Sequence, residues 1–586
     1  MSMIDARRDQ IFPTLTPQQI EGARRFASGP PETFPPGRPV WRRGDRNAPS
    51  FLILAGEVIV SGGAEGAEIT RHGPGQVSGE IGQLSGRVAI SGGVAGCQGA
   101  EVLPFDASHL RALLIGSAEV GEILMRAFIL RRTLLLTEGG AGSVLIGLPG
   151  SPALTALEGF LGRNSHPYTV VDAVGSDVAT RLGIRNDELP VVITPGGDVL
   201  RQPSESSLAA AIGIMPDLDL DRVYDVVIVG AGPAGLAAAT YAASEGLSVL
   251  VLESRAYGGQ AGASARIENY LGFPTGITGL ALMARAFVQA QKFGAEVAAP
   301  VSVESLRCAM ADGSSARLLE LKLSSGGVAN ARTVVISSGA RYRRPPIANL
   351  DAFEASGVSY WATPLEAKLC EGRPVALVGG GNSAGQAVVF LAAKVDRLHL
   401  LVRGEGLGAS MSQYLVERIA SLRNVELHRR CTLTSLQGDA DGRLTGAVVN
   451  RAPGESWMTP IHHLFLFTGA DPNTTWLEQS GVEVDHHGFV VTGGDPARST
   501  LETSVPGVFA IGDVRAGSTK RVGAAIGEGA TVTAAIHEFL RRSPVRDPQV
   551  SPSGAGGQPA DLHGGSDARP RVPDMRSDRV ALPVAS

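Results

Sequence analysis

The chain has 586 residues, of which 44% are hydrophobic and 19% are charged, and its formal net charge is −5. This length exceeds what one hydrophobic core supports, so we expect several domains. The negative balance gives no electrostatic reason to expect nucleic acid or a membrane surface as a partner, and no apolar run reaches the roughly 18 residues that span a bilayer. Four scattered cysteines and an N-terminus without an apolar segment predict a cytoplasmic protein without a disulfide scaffold.

Residues 1–140 are predicted to form a barrel-like β domain with helices. The segments 51–54 and 56–60 have the pattern of two buried strands around a turn. From Leu110 to Leu136 the apolar residues recur at helical spacing, which predicts a helical segment after the strands.

The stretch 75–80, which ends in Gly79 and Glu80, gives this region a resemblance to cyclic-nucleotide-binding domains. The resemblance implies that Glu80 binds the ribose hydroxyl and Arg87 the cyclic phosphate of an effector. The Pro-Arg-Ala motif that usually carries such an arginine is absent. Two interpretations therefore stay open, a barrel with an effector site and a barrel that serves only for packing.

Residues 143–215 are predicted to form a small α/β domain. Strand-like segments begin at Val144, Tyr168 and Pro190, and a helix-like segment covers 153–161. The segment 189–193 resembles part of a thioredoxin- or glutaredoxin-like fold, which implies a cis peptide bond before Pro190. The domain has no cysteine, and Gly150-Ser-Pro-Ala153 takes the place of the usual Cys-x-x-Cys. We therefore expect a docking or dimerisation module rather than an electron carrier.

A dinucleotide fingerprint runs from Asp225 to Gly235, with a strand before the glycines and a helix after them. Gly230 permits the tight turn, Gly232 lets the backbone approach a pyrophosphate, and Gly235 lets the helix pack closely on the strand. The next strand ends at Glu253, where a carboxylate can accept hydrogen bonds from a ribose diol.

A second fingerprint, Val375-Ala-Leu-Val-Gly379-Gly-Gly381-Asn-Ser-Ala384, has the same strand–turn–helix context. The strand that follows it ends in Arg403, and a cation there attracts a 2′-phosphate, which favours NADPH over NADH. Glu405 lies nearby and weakens this preference, and a surface arginine that merely closes the strand is the alternative.

With both fingerprints and four further motifs in order, residues 222–543 resemble the thioredoxin-reductase-like flavoproteins. The further motifs are Gly258-Gly-Gln260, Ile267-Glu-Asn-Tyr270, Ser337-Ser-Gly339-Ala340 and Gly507-Val-Phe-Ala-Ile-Gly512-Asp513. The resemblance implies two Rossmann-like α/β domains: an FAD domain made of 222–343 and 466–543, and an NADPH domain, 344–465, inserted into it. It also implies crossovers near 343 and 466 about which the inserted domain rotates.

The resemblance implies the residues that contact each cofactor. For FAD they are Gly230, Gly232, Pro233, Ala234, Gly235, Glu253, Gly259, Gln260, Asn269, Ser338, Gly339, Gly512, Asp513, Lys520, Arg521 and Val522. For NADPH they are Gly379, Gly381, Asn382, Ser383, Ala384 and Arg403. In the family, Asp513 would hydrogen-bond the ribityl chain, and cations at Lys520 and Arg521 would stabilise the negative charge of the reduced flavin.

The redox cysteine pair of that family is missing. The segment reads Val358-Ser-Tyr-Trp361-Ala-Thr-Pro364, so Trp361 and Pro364 stand at the two cysteine positions, and Leu365 replaces the acid that follows them. Neither Trp nor Pro offers the thiolate that disulfide exchange requires.

We therefore predict a multidomain FAD enzyme that takes a hydride from NADPH and passes electrons to an unidentified acceptor. A protein redox partner is one candidate for this acceptor. One alternative is a disulfide reductase that uses two of Cys308, Cys370 and Cys431, and another is a flavin-based redox sensor. The family is often dimeric, which implies a homodimer. No metal site is predicted, because the pairs His462-His463 and His486-His487 lack further ligands at suitable spacing. The tail 544–586, rich in Pro, Gly and Ser, is predicted to be disordered.

Overall fold

A computed structural model describes residues 3–543, apart from 63–66, 80–82, 85–87, 139–141, 175–178, 181, 216–217, 311–316, 355–356 and 441. The predicted effector residues Glu80 and Arg87 and the predicted disordered tail lie outside the described residues. Within the described ranges, no helix is both long enough and apolar enough to cross a membrane.

The N-terminal region contains a five-stranded antiparallel sheet between helices. Its strands are Glu32–Phe34, Pro39–Trp41, Ser50–Gly62, Ala67–His72 and Gly92–Phe105, and its helices are Met3–Ile11, Pro17–Arg24, Ala107–Gly116 and Ala118–Glu138. Gly92–Phe105 pairs with three strands, Glu32–Phe34, Pro39–Trp41 and Ser50–Gly62, and Ala67–His72 lies on the far side of Ser50–Gly62. One face buries Trp41, Phe51 and Ile53.

Two predictions for this region are wrong in detail. Segments 51–54 and 56–60 are parts of one strand, because Gly56 (φ 71°) makes a bulge in the ladder instead of a turn. The helical stretch from Leu110 to Leu136 is two helices, because Ser117 has extended backbone angles and ends the first of them. The side chains of the helices reach further than expected: Leu113 and Phe128 belong to the same hydrophobic core as Phe287 of the third region.

The second region is a four-stranded sheet with helices. The strands, in spatial order, are Tyr168–Asp172, Ser143–Gly147, Val191–Ile193 and Val199–Arg201, and the helices are Pro152–Arg163 and Glu205–Ala211. The first two strands are parallel and the other pairings are antiparallel. The Leu189–Pro190 peptide bond is cis, as predicted. Leu145, Phe160 and Leu208 form the buried core.

The third region has a seven-stranded sheet in which β-branched residues form near-continuous buried runs. In spatial order the strands are Glu296–Ala298, Val249–Leu252, Val223–Val229, Val328–Ile336, Arg317–Leu323 and Val303–Met310, and Val508–Ala510 also pairs with Val328–Ile336. Helices Pro233–Ser244, Gly259–Gly262, Gly279–Lys292 and Val522–Arg542 accompany it. The central strands are parallel and buried on both faces, so their apolar residues do not alternate with polar ones.

The fourth region, between the two segments of the third, has a parallel sheet of its own. Its strands, in spatial order, are Val358–Ser359, His463–Leu466, Val375–Val378, Leu398–Val402 and Val425–Arg429, and its helices are Leu350–Phe353, Pro364–Leu369, Asn382–Ala392 and Gln413–Ala420. The strands Cys431–Gly438, Leu444–Arg451 and Glu455–Pro460 form an antiparallel meander. The chain enters and leaves this region through Ala340–Tyr342 and Ala470–Pro472, which pair with each other antiparallel.

Candidate flavin and nicotinamide site

A cleft of about 1630 Å³ opens at the carboxyl ends of the parallel strands of the third region. Strands Val223–Val229, Val249–Leu252 and Val328–Ile336 end at its wall, where Gly230, Glu253 and Ser337 follow them. Ligands in open α/β sheets bind at this edge, because the loops that follow the strands meet there.

The first fingerprint forms the turn that a pyrophosphate requires. Gly230 has φ 109°, and a Cβ on it would lie 2.3 Å from the carbonyl oxygen of Ser337. A Cβ on Gly235 would lie 2.0 Å from the carbonyl oxygen of Gly230, so neither position accommodates a side chain. The helix Pro233–Ser244 begins at Gly232 without a side-chain cap, which leaves its first N–H groups directed at the cleft.

Glu253 is fixed on the wall next to this turn. Its Oε2 accepts a hydrogen bond from the Ala231 backbone N–H at 2.9 Å, and its Oε1 accepts one from the Arg255 backbone N–H at 3.1 Å. The carboxylate therefore has a set orientation, and its remaining lone pairs are available to a ribose diol.

The opposite wall carries the N-terminus of the Val522–Arg542 helix. Val522 and Gly523 line the cleft, and no side chain caps this end of the helix, so its positive dipole end faces the cleft. Asp513 lies beside it, and burial raises the pKa of its carboxyl group. The Lys520 ammonium group donates to Asp513 O and Ser518 Oγ and lies 4.4 Å from the centre of the Phe489 ring.

The structure brings most of the predicted cofactor residues to this cleft. The lining includes Gly230, Gly232, Pro233, Ala234, Glu253, Gly259, Gln260, Asn269, Ser338, Gly339, Asn382, Ser383, Gly512, Asp513, Lys520, Arg521 and Val522. Gly235 lies behind the turn, and Gly379, Gly381, Ala384 and Arg403 lie outside the lining. The individual roles of these residues stay predictions.

The two crossovers are joined beside the cleft. Ser338 Oγ donates to Asn473 O at 2.8 Å, and Asn473 Nδ2 donates to Ser338 O at 2.9 Å. The Tyr342 and Phe467 rings meet edge to face with centroids 5.8 Å apart. The fourth region is thus connected to the third through a compact, doubly hydrogen-bonded pair of segments.

The second fingerprint places Asn382 and Ser383 at the cleft. The helix Asn382–Ala392 also begins without a side-chain cap, at Gly381. Arg403 is exposed and has no ion-pair or hydrogen-bond partner in the part of the chain that the structure describes. Glu405, in contrast, pairs with Arg430 Nε at 2.7 Å, which reduces its competition for Arg403.

Residues 224–529 match the model of the family described as pyridine nucleotide-disulphide oxidoreductase. The chain belongs to this family. The match agrees with the two fingerprints and the cleft, and it confirms the predictions of a flavin-dependent oxidoreductase with FAD and NADPH as cofactors.

Proteins similar to the chain are named for different functions. The chain is 31% identical over 327 residues to a component of the alkyl hydroperoxide reductase of Escherichia coli K12 (56% of this chain, 60% of that protein). It is 32% identical over 312 residues to a thioredoxin reductase of Listeria monocytogenes (53% and 91%) and 31% identical over 321 residues to an NADH dehydrogenase of Bacillus subtilis (55% and 59%). The chain therefore spans about 60% of the length of the first and the last of these relatives.

Solved structures give the same assignment. The Lactococcus lactis thioredoxin reductase matches with a TM-score of 0.50 and 26% identity, over 54% of this chain and 99% of that one. The thioredoxin reductase of T. acidophilum matches with a TM-score of 0.50 and 28% identity, over 54% and 98%. These matches confirm the Rossmann-like α/β part of the fold prediction, whereas the predicted classes of residues 1–215 stay predictions.

At the position predicted for the family's cysteine pair, the chain has a capped helix and an anchored indole. Trp361 lines the cleft, and its Nε1 donates to Glu366 Oε1 at 2.9 Å. Glu366 is only 6% exposed, and its Oε2 accepts from the Thr363 backbone N–H at 2.9 Å in a capping box. Pro364 is the first residue of this helix, where the missing N–H costs nothing. The sequence pattern Thr363-x-x-Glu366 could have predicted this helix start.

The cysteines of the chain do not replace the missing pair. All four are free thiols, and no cysteine is among the residues that line the cleft. Cys370 is buried, its Sγ donates to Glu366 O at 3.2 Å, and burial raises its pKa to about 12, so it is a poor source of thiolate. Cys431 lies in a different hydrophobic core from Cys370. Disulfide reduction through the chain's own cysteines therefore finds no support among the described residues.

A histidine cluster that sequence reasoning missed lies away from the cleft, on strands Leu398–Val402 and Val425–Arg429. His399 Nδ1 is 3.1 Å from His428 Nε2 and 3.3 Å from Glu426 Oε2. Glu426 Oε1 is also paired with Arg397 at 3.0 Å. Burial lowers the pKa of both histidines, and the positive charges of Arg397 and Arg451 act in the same direction. Since two guanidinium groups also oppose a divalent cation there, we assign this cluster to hydrogen bonding.

Sequence reasoning also missed a cleft residue from the second region. Arg163, the last residue of the Pro152–Arg163 helix, lines the cleft, and its Nη2 donates to Gly259 O at 2.8 Å. No local signal marks this residue, because a basic residue in the last turn is ordinary helix chemistry. Its position depends on contact between two regions that are distant in sequence.

Proposed function

We propose that the chain is an oxidoreductase that takes a hydride from NADPH and passes electrons from its flavin directly to an acceptor, without an internal disulfide. The observation that carries the proposal is the cleft wall at Trp361, a predicted position of the family's cysteine pair, where the indole is bonded to a buried Glu366. FAD, when bound, supplies the two-electron carrier between the nicotinamide and the acceptor.

The chain's own residues would bind and orient the two cofactors and stabilise the reduced flavin. The turn at Gly230 and the uncapped helix start at Gly232 are suited to the phosphates, and Glu253 to a ribose. The uncapped start of the Val522–Arg542 helix directs N–H groups to the cleft, where they favour the negative charge of a reduced flavin. The exposed Arg403, with Glu405 engaged by Arg430, favours NADPH.

The domain boundaries, the classes of the first two domains and the oligomeric state belong to the same proposal. We propose the domain boundaries 1–140, 143–215, 222–343 with 466–543, and 344–465, with a cyclic-nucleotide-binding-like first domain and a thioredoxin-like second domain. The antiparallel sheet of the first and the sheet order of the second support these classes. A cytoplasmic homodimer is the expected setting, as implied by the family resemblance.

NADPH oxidation assays with different electron acceptors test this proposal. We expect NADPH oxidation with a small quinone or ferricyanide, and no rate above the enzyme-free blank with an aromatic disulfide or with oxidised thioredoxin. Cys370→Ser is the control, and its turnover should equal that of the wild type because the thiol is buried in a core and is not among the residues that line the cleft. Disulfide-dependent turnover that the Cys370→Ser variant loses would contradict the proposal. Absence of turnover with every acceptor would instead support the sensor alternative.

A further inference from the structure

We propose that Arg163, supplied by the domain 143–215, binds the pyrophosphate of FAD and thereby makes this cysteine-free domain a component of the flavin site. The inference deepens the proposed function, since it rests on FAD occupying the cleft. Arg163 lies outside the segment 224–529 that matches the family, so the family motifs do not include it.

The guanidinium group lies at the end of the cleft where the phosphates are expected. Its Nη2 is bonded to the carbonyl oxygen of Gly259 at 2.8 Å. Gly259 in turn packs on the first fingerprint, because a Cβ on it would lie 3.1 Å from Gly232 Cα. Gly232 is the start of the Pro233–Ser244 helix, whose uncapped N–H groups are suited to a pyrophosphate. Arg163 thus contacts Gly259, the residue that packs on the helix start.

The same group has bonding capacity that the described residues leave unused. Arg163 Nε is buried and has no hydrogen-bond partner, and no carboxylate of the described chain forms an ion pair with this arginine. Its neighbour Arg255 differs, because Arg255 is paired with Glu205 at 2.7 Å. Burial lowers the pKa of Arg163 and the positive charge of Arg255 acts in the same direction, while the carboxylates of Glu253, Glu205 and Glu366 oppose the shift without forming an ion pair with it. A phosphate would satisfy both the charge and the free donor, because the guanidinium fork matches phosphate geometry.

The contact between the two domains holds Arg163 in this position. Asn164 Nδ2 donates to Arg255 O at 3.2 Å, and Ser165 Oγ is hydrogen-bonded to the Tyr257 hydroxyl. The Glu205 carboxylate accepts from both Nε and Nη2 of Arg255. Because these bonds flank Arg163 on the chain and in space, its side chain is pre-organised for a ligand.

The experiment measures the dissociation constant of FAD for the apoprotein by fluorescence titration. Arg163→Ala and Arg163→Gln should each weaken FAD binding about 10- to 100-fold, the range expected for one charge-assisted contact, and Arg163→Lys should retain part of the affinity. Glu205→Ala removes a docking ion pair of the same domain and should weaken FAD binding less than Arg163→Ala does. Arg185→Ala is the matched control, because it removes a guanidinium group of the same domain that is 70% exposed and is not among the residues that line the cleft. Its affinity should stay within about threefold of the wild type.

Thermal unfolding of each apoprotein identifies a variant that fails to fold. If Arg163→Ala fails to fold, the FAD affinity of Arg163→Gln tests the inference instead. Unchanged FAD affinity in a folded Arg163 variant would overturn the inference. Equal losses in Glu205→Ala and Arg163→Ala would also overturn it, because Arg163 would then act only through docking. If the wild-type protein itself bound no FAD, the proposed function would fail, which is a distinguishable result.

Discussion

A Gly235→Ala variant is expected to be isolated without bound flavin. The added Cβ would lie 2.0 Å from Gly230 O and 2.6 Å from Ser337 Oγ. Ser337 cannot move aside freely, because its hydroxyl donates to Gly230 O at 2.9 Å and to Val229 O at 3.0 Å. The turn must therefore open, at a cost of about 1–3 kcal/mol for overpacking, and the helix start moves away from the phosphates. Flavin absorbance per purified chain measures the effect.

The control for this substitution is Gly527→Ala. Gly527 lies in the Val522–Arg542 helix, and a Cβ on it would contact nothing within 4 Å. Alanine in a helix interior is more favourable than glycine by about 0.5–1 kcal/mol, so this variant should bind FAD normally and unfold at a slightly higher temperature. Normal flavin content in Gly235→Ala would show that the fingerprint turn is not the flavin site.

Glu528→Ala is expected to lower the free energy of unfolding by about 2–3 kcal/mol, below the 3–5 kcal/mol typical of a fully buried pair. The Glu528 and Arg515 side chains are ion-paired and only 17% and 20% exposed. Glu528 Oε2 also accepts from the Gly512 backbone N–H at 2.6 Å, next to Asp513. Its removal leaves the Arg515 guanidinium without its partner and frees the turn that carries Asp513, so FAD binding should weaken as well. Urea unfolding and FAD titration measure the two effects.

Asp187→Ala provides the comparison for an exposed pair. Asp187 and Arg185 are 71% and 70% exposed in their side chains, and loss of such a pair costs about 0–1 kcal/mol. If Glu528→Ala destabilised the protein no more than Asp187→Ala, the Arg515–Glu528 pair would have no role in the turn beside the cleft.

The parts of the site that sequence predicts are those whose chemistry is local. Gly230, Gly232 and Gly235 form one strand–turn–helix unit, so their spacing alone indicates a phosphate turn. The loss of disulfide chemistry at Trp361 and Pro364 can also be predicted from the sequence, since neither side chain offers a thiolate.

The parts that sequence does not predict depend on contacts between distant segments. Arg163 reaches the cleft only because the second region packs on Tyr257 and Arg255. The shared core of Phe128 and Phe287 has the same origin. Gly56 is ambiguous between a turn and a bulge as long as only its neighbours in sequence are considered, and the pairing with Gly92–Phe105 resolves it.

The most direct test of the central claim is an anaerobic titration of the purified holoprotein with NADPH, with electrons counted per bound FAD. A flavin and a disulfide are each two-electron centres, so their number can be read from the end point. With Trp361 and Pro364 at the cysteine positions and the four thiols free, we expect full bleaching of the flavin at two electrons per FAD. An end point of four electrons would reveal a second redox centre and would contradict direct transfer from the flavin to its acceptor.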